Sequence, residues 1–300
     1  MLYKARTEPQ ELLVFQSLDR RMELTEKDKQ YYWNLKKGFE GECRFDSWTE
    51  KLECDCLVLN DLRLSVNNTT FQIDALIITG ETIYLFEVKN YEGDFYYERE
   101  RLYKNKSEIN NPLIQLKRSE SLFRQLLHSL GFDMPVTASI VFIHPEFTLY
   151  QAPLNAPFIF PTQIKRYFKH LNALTSKLNS KHKKFAERLL SLHMEELSFT
   201  KLPRYEFEQL RKGIVCATCG SFSCGVQGRM VICEECGHRE IGGIAIMRSI
   251  KEFRMLFPDE KLTSETIGEW CKIIDSKRRI SRVLEKHFKT VGTGRWTYYQ

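Results

Sequence analysis

Residues 71–90 read FQIDALIITGETIYLFEVKN. Two apolar, strand-like runs flank Gly80-Glu81, and the charges Asp74, Glu87 and Lys89 interrupt them. Glycine in the first place of a two-residue loop suits a type II′ hairpin turn. A turn centred there sets Thr79 against Thr82 and, further along, Asp74 against Glu87. Lys89 then falls on the same face, opposite Gln72. Carboxylates directly across a strand pair have Cβ atoms about 4.5–5.5 Å apart and repel, so the arrangement asks for a cation between them. A hard divalent ion such as Mg²⁺ takes one or two carboxylates together with water and phosphate oxygens. The adjacent lysine suits a group that orients or deprotonates an attacking water, or that steadies charge developing on phosphate. The plainer alternative is an edge hairpin whose three charges pair in solvent. Leu76, Ile78, Ile83 and Leu85 on that face, and an apolar opposite face, argue instead for a strand pair covered on both sides.

Around this hairpin the periodicity predicts a short helix at 8–19 and a longer one from Thr25 to Leu52 that contains GFEGE, residues 38–42. Two glycines inside a helix mark close approach to a neighbouring element. Strands are expected at Cys56–Ser65, Phe71–Thr79, Thr82–Asn90 and 136–144, and helices at Asn110–Leu130, Pro161–His170 and His182–Glu196. That order predicts an α/β domain with a mixed sheet flanked by helices. Lys201–Lys212 reads as a linker or a last helix.

Asp74, followed after a hairpin by Glu87-Val88-Lys89, resembles the PD-(D/E)xK nuclease signature. The ordered set GFEGE, QID, FEVKN, Gly93 and NNPLIQ resembles the nuclease-related domain, NERD, over residues 36–144. The resemblance implies a restriction-endonuclease-like fold in which Asp74 and Glu87 ligate Mg²⁺ and Lys89 is the catalytic lysine. It further implies that Glu42 is a helix glutamate near the metal, that the glycines beside it admit the helix to the sheet, and that Gln115 contacts the site or substrate. Two departures stand out. Leu102 and Tyr103 in ERERLY occupy the place where relatives often carry tryptophan, and Ile73 replaces the proline before Asp74.

The chain has 300 residues, 42% hydrophobic and 28% charged, enough for two or three domains. It contains no apolar run of the roughly 20 residues that a membrane span needs, and its start lacks an apolar export segment. A cytoplasmic location is therefore expected. Among nine cysteines, Cys216, Cys219, Cys233 and Cys236 form two CxxC pairs, each followed by glycine. Four thiolates in this pattern favour a closed, structural Zn²⁺ site and resemble a zinc ribbon. Cys224 and His238 are alternative ligands.

Residues 241–300 carry twelve Lys and Arg against seven Asp and Glu, a surplus of five out of the chain's net charge of +6. Thr263–Cys271 and Ser276–Phe288 read as hydroxyl-capped helices, and VGTGRWTYY as a hairpin. The pattern resembles a winged helix, with Arg278, Arg279, Arg282, Lys286 and Arg295 as candidate nucleic-acid contacts. A solvated basic helix on a small packing domain is the plainer reading.

The expected organisation is a NERD nuclease-like α/β domain at 1–200, a linker at 201–212, a zinc ribbon at 213–240 and a helical, winged-helix-like domain at 241–300. The expected activity is metal-dependent hydrolysis of nucleic acid, DNA before RNA, with Mg²⁺ catalytic and Zn²⁺ structural. A non-catalytic nucleic-acid-binding or regulatory protein on a nuclease-like scaffold is the alternative, and an adaptor that uses the ribbon a third. Homo-oligomerisation is left open.

Overall fold

The computed structural model describes residues 1–195, 202–274 and 276–300, apart from the side chain of Arg295. The chain runs β1 (Leu2–Lys4), α1 (Gln10–Arg21), α2 (Glu26–Thr49), β2 (Leu57–Val66), β3 (Thr69–Ile78), β4 (Ile83–Lys89), β5 (Gly93–Glu98), β6 (Arg101–Lys104), β7 (Ser107–Ile109), α3 (Pro112–Ser129), β8 (Val136–Phe142), β9 (Phe147–Tyr150), β10 (Phe158–Ile159), α4 (Pro161–Asn172) and α5 (Ser180–Ser191). Then follow β11 (Cys224–Gln227), β12 (Met230–Cys233), β13 (Arg239–Ile241), α6 (Gly242–Leu256), α7 (Ser264–Cys271), α8 (Lys277–His287), β14 (Thr290–Val291) and β15 (Tyr298–Tyr299). Two compact units result, Met1–Pro9 with Trp33–Phe199 and Gln10–Tyr32 with Thr200–Gln300.

In the first unit a six-stranded mixed sheet has the order β1-β2-β3-β4-β8-β10. β2, β3 and β4 form an antiparallel meander, and β8 joins β4 in parallel. Alternation along the strands loads both faces with apolar groups. Leu59, Leu76 and Leu85 pack with Leu116 and Phe123 of α3 and with Phe185 and Leu189 of α5. Val58, Ala75, Ile77 and Phe86 pack with Phe45 of α2 and with Ile164 and Phe168 of α4. Asn111 caps α3, its side chain accepting from the Leu113 amide at 3.0 Å, and Pro112 fits the first turn, where no N–H is needed. A second sheet, β7-β6-β5-β9, was not expected from the sequence.

The β3–β4 register follows the expectation, with Ala75 opposite Phe86 and Ile78 opposite Ile83. The turn type does not. Gly80 is absent from the positive-φ residues, as a type II′ turn does not allow. The loop is closed instead by the Thr79 amide donating to Thr82 O at 3.0 Å and the Thr82 amide donating to Thr79 Oγ1 at 3.2 Å. Gly80 is needed for space, because a Cβ there would lie 2.7 Å from the Lys177 carbonyl oxygen. The hairpin ladder stops at Ala75–Phe86, so Lys89 has no strand partner at Gln72, which pairs with Arg63 of β2.

In the second unit, α1 buries Phe15 against the rings of Tyr31 and Tyr32. Arg21, fully buried at the end of α1, pairs with Glu252 of α6 at 2.6 Å and donates to the carbonyls of Arg211 and Gly213. These bonds group residues 10–32, read from sequence as the start of the first domain, with the C-terminal hundred residues. β11, β12 and β13 form a small antiparallel sheet. The helices α6, α7 and α8 pack together through Ile246, Ile250, Ile267, Trp270, Ile280 and Leu284. Thr263 and Ser276 cap α7 and α8 as their sequence suggests. The hairpin β14–β15 closes the unit, and Leu262, before α7, bridges Tyr299. Of the expected helix at 182–196 and linker at 201–212, residues 196 and 201 lie outside the described residues.

Candidate active site and metal centre

β3 and β4 part company at the acidic pair. Beyond Ala75 the strands no longer exchange ladder bonds, and the Asp74 side chain takes over: its Oδ2 accepts from the Val88 amide at 2.7 Å. On the other side of β3, Asp61 of β2 sits at φ 53 and interrupts the β2–β3 ladder opposite Asp74. The distortion inverts which side chains face inward. Leu62, Leu64, Phe71 and Ile73 beyond it join the same core as Leu57, Leu59, Leu76 and Ile78 before it. Asp74 occupies the crossover and Glu87 the next place along β4, and both are buried.

α2 reaches this point because Gly41 has no side chain: a Cβ there would meet Asn90 Cβ at 2.4 Å. Asn90, directly after β4, also donates from Nδ2 to the Lys37 carbonyl at 2.7 Å. Gly38 meets nothing, so only one glycine of GFEGE serves the approach implied by the family resemblance. One residue on, Glu42 Oε2 is held by Arg6 Nη1 at 2.6 Å. Arg6 and its further partner Asp46, 2.9 Å from Nε, were not singled out from sequence. The only signal for them was a pair of charges of opposite sign far apart in the chain.

Lys89 Nζ lies 2.6 Å from Glu87 Oε1 and donates to Gln115 Oε1 at 3.1 Å. Gln115 comes from the first turn of α3, so Asp74, Glu87, Lys89 and Gln115 gather from three elements, and Glu42 is tied to the same place through Arg6. Burial, then the charge of Asp74, pushes the Glu87 carboxyl up to about 8. Burial and Asp74 likewise raise Glu42 to about 8, against the opposing charge of Arg6. Asp74 is raised by burial despite Lys89 and the Val88 N–H. Burial disfavours the Lys89 ammonium, but Glu87 and Asp74 outweigh it and the lysine is raised. The shift favours the ammonium form of Lys89 beside the two carboxyl groups.

The donor set fits a hard divalent cation. Glu87 Oε1 is buried with the Lys89 ammonium 2.6 Å away, and Asp74 keeps one oxygen beyond its bond to Val88. An ion between them relieves the repulsion that raises the Glu87 pKa and offsets the burial that raises both. Glu42, engaged by Arg6, stands outside a closed cluster with the other two, since no group of three carboxylates comes within 4.8 Å among the described residues. Residues 37–143 match the family of the nuclease-related domain, NERD. No curated protein and no solved structure matches the chain. The NERD segment covers the sheet from β2 to β8 and the part of α2 that carries Gly41 and Glu42.

Outside the NERD segment, Cys216, Cys219, Cys233 and Cys236 bring their Sγ atoms within 4.8 Å of one another. Gly220 and Gly237, at φ 75 and 70, make the turns after each pair. Their amides donate to the carbonyls of Cys216 and Cys233 at 3.1 and 3.0 Å, closing two knuckles of the same form. Backbone N–H groups also point at sulfur, as from Thr218 to Cys216 Sγ at 3.4 Å. Burial works against the Cys216 thiolate, but the amides of Cys219 and Thr218 prevail and lower its pKa. The all-thiolate set suits zinc in a closed, tetrahedral ribbon site. Cys224 and His238 are not among the four.

On α8, Arg278, Arg282 and Lys286 are exposed. Arg279 is half-buried and donates from Nη2 to the Gly228 carbonyl in the β11–β12 turn at 2.6 Å, so it holds the ribbon to the helix. The side chain of Arg295 lies outside the described residues.

Proposed function

We propose that the chain is a cytoplasmic, Mg²⁺-dependent nuclease that hydrolyses phosphodiester bonds of DNA. The observation that carries this reading is the buried Asp74–Glu87 pair, with Lys89 at 2.6 Å from Glu87, set where two ladders lapse inside a NERD match. A buried charge cluster of this kind is costly unless it is used. Asp74 and Glu87 would hold the ion, which when bound supplies Lewis-acid charge and lowers the pKa of water for in-line attack on phosphorus. Lys89 would place positive charge beside the phosphate as the water oxygen bonds to phosphorus, a water proton passes to solvent, and the bond to the leaving oxygen breaks with that oxygen taking a proton from solvent. Gln115, bonded to Lys89, fixes the direction of that charge, and its side-chain amide offers both a donor and an acceptor there.

The second unit would bring the enzyme to its substrate. The order α6, Leu262 bridge, α7, α8, hairpin supports a winged-helix reading, in which α8 would enter the major groove and the hairpin would touch the backbone. The ribbon would carry structural Zn²⁺ and brace α8 through Arg279. Cleavage of a panel of single-stranded, duplex and branched DNA and RNA, with and without Mg²⁺, tests the proposal on wild type and Lys89→Ala. Metal-dependent cuts by wild type that fall at least about 100-fold in the variant support it. Equal activity in both, or no cleavage of any substrate the protein binds, refutes it.

A further inference from the structure

We infer that Arg6 is a positioning residue of the carboxylate site, fixing Asp74 through its main chain and Glu42 through its side chain. The inference rests on the nuclease reading of that site.

Arg6 follows a three-residue edge strand, yet its side chain is only 3% exposed. Its guanidinium makes four bonds: Nε to Asp46 Oδ2 at 2.9 Å, Nη2 to Asp46 Oδ1 at 3.1 Å, Nη1 to Glu42 Oε2 at 2.6 Å and Nη2 to the Asp74 carbonyl at 2.7 Å. The fork grips Asp46 in bidentate fashion and reaches past it to two acceptors on different elements, a geometry a lysine cannot reproduce. The Asp74 carbonyl stands at the gap in the β2–β3 ladder, between the pairs Asn60–Ala75 and Leu62–Ile73. Arg6 supplies a donor to the main chain there. Lys4, on the strand just before, donates to the carbonyls of Asn60 and Asp61 at 2.8 and 2.7 Å. The two cations thus staple both banks of the distortion that presents Asp74.

The arrangement assigns work to each bond. With its carbonyl held, the Asp74 backbone cannot relax back into the ladder, and the carboxylate stays on the Val88 amide with its second oxygen directed elsewhere. With Glu42 held by Nη1, α2 keeps that carboxyl group in one place beside the site. Asp46 is bonded to neither Asp74 nor Glu87, and its side-chain bonds reach the site through Arg6.

The test uses the full chain and Mn²⁺ as the probe, with binding followed by titration calorimetry beside melting temperature and cleavage kinetics. Arg6→Lys keeps the charge and loses the fork. It is expected to weaken Mn²⁺ binding about 10-fold and to lower kcat with KM for DNA unchanged, with a lower melting temperature because buried bonds are lost. Asp46→Asn, a milder change that leaves Arg6 its bonds to Glu42 and Asp74, is expected to weaken Mn²⁺ about 3-fold. The double variant should bind Mn²⁺ nearly like Arg6→Lys alone, because the hydrogen-bonded route from Asp46 to the site runs through Arg6. Wild-type Mn²⁺ affinity in Arg6→Lys, or in Asp46→Asn should Arg6→Lys not fold, overturns the inference and leaves the nuclease reading standing. A wild-type protein that binds no Mn²⁺ overturns both.

Discussion

Asp74 Oδ2 accepts a hydrogen bond from the Val88 amide at 2.7 Å, where β3 and β4 cease to pair. The carboxylate satisfies a buried N–H that has left the ladder, and in the proposed function it would also serve beside Glu87 as a metal ligand. Substitution separates the two roles. Asp74→Asn retains an oxygen for Val88 and should keep the fold, with the melting temperature within a few degrees of wild type and cleavage down at least about 100-fold. Asp74→Ala also strands the amide and should cost a further ~1–3 kcal/mol in denaturant unfolding. Equal stability of the two variants would show that the Val88 bond contributes nothing.

Gly41 and Gly38 lie a turn apart on α2 and should respond in opposite directions. Alanine at 41 would place a Cβ 2.4 Å from that of Asn90, so α2 must withdraw from β4. A loss of ~3 kcal/mol or more is expected, with metal binding abolished alongside. Alanine at 38 meets nothing and gains helix propensity, worth about 1 kcal/mol. Chemical denaturation of the two variants decides it.

The hairpin register was legible because turn position alone fixes cross-strand neighbours, and the apolar alternation on both faces fixed the sheet. The turn itself was not: Gly80 is dictated by the Lys177 backbone, a neighbour from a distant segment. The β5–β7 hairpins escaped notice because Arg99-Glu100 and Asn105-Lys106 all adopt positive φ with no glycine among them. α6 escaped because it starts at Gly242-Gly243 with Ile241 as a cap that makes no side-chain bond. Arg6 was invisible for a simpler reason, since its partners lie 36, 40 and 68 residues away. The acidic pair and the lysine could be read because they break a local pattern, whereas the groups that hold them in place follow only from the fold.

The raised carboxyl groups set a pH dependence whose sign differs with and without metal. Glu42 and Glu87 stand at about 8 against an ordinary 4.5, so between those values the folded state binds more protons than the unfolded one. Their contribution to stability without metal is then greatest below about pH 4.5 and declines as pH rises to 8. A divalent ion needs the ionised carboxylates, so the increase in melting temperature on adding Mg²⁺ should grow over the same interval. Scanning fluorimetry at about pH 5 and about pH 8, with and without Mg²⁺, measures both trends, and Glu87→Gln should flatten each. A Mg²⁺ increment as large at the lower pH as at the higher would exclude Glu87 as a ligand.

Zinc in the cysteine site should be tied to folding of the second unit. The four Sγ atoms converge in a small sheet module, and structural zinc in such modules supplies on the order of 10–16 kcal/mol of apparent binding energy at pH 7. Elemental analysis should find one zinc per chain in wild type and none in Cys216→Ser/Cys233→Ser. Removal of the metal should expose residues 202–300 to protease, whereas Cys224→Ser should keep both zinc and protection. Zinc retained in the double variant would place it elsewhere.

On α8 the exposed and the engaged arginines should separate in a single titration. Arg278, Arg282 and Lys286 are exposed at helical spacing and are free to neutralise phosphates. Alanine in place of any one of them should reduce the slope of log affinity against log salt by about 1, nearly alike for all DNA sequences if these side chains meet only the backbone. Arg279 already donates to Gly228 O at 2.6 Å, so its alanine variant should lose stability between ribbon and helix first and change the salt slope least. Fluorescence anisotropy on a labelled duplex from about 50 to 200 mM salt, paired with a melting curve for each variant, distinguishes the two roles. A slope that falls as much for Arg279→Ala as for Arg282→Ala, with unchanged melting, would mean that the guanidinium leaves the Gly228 carbonyl when DNA binds.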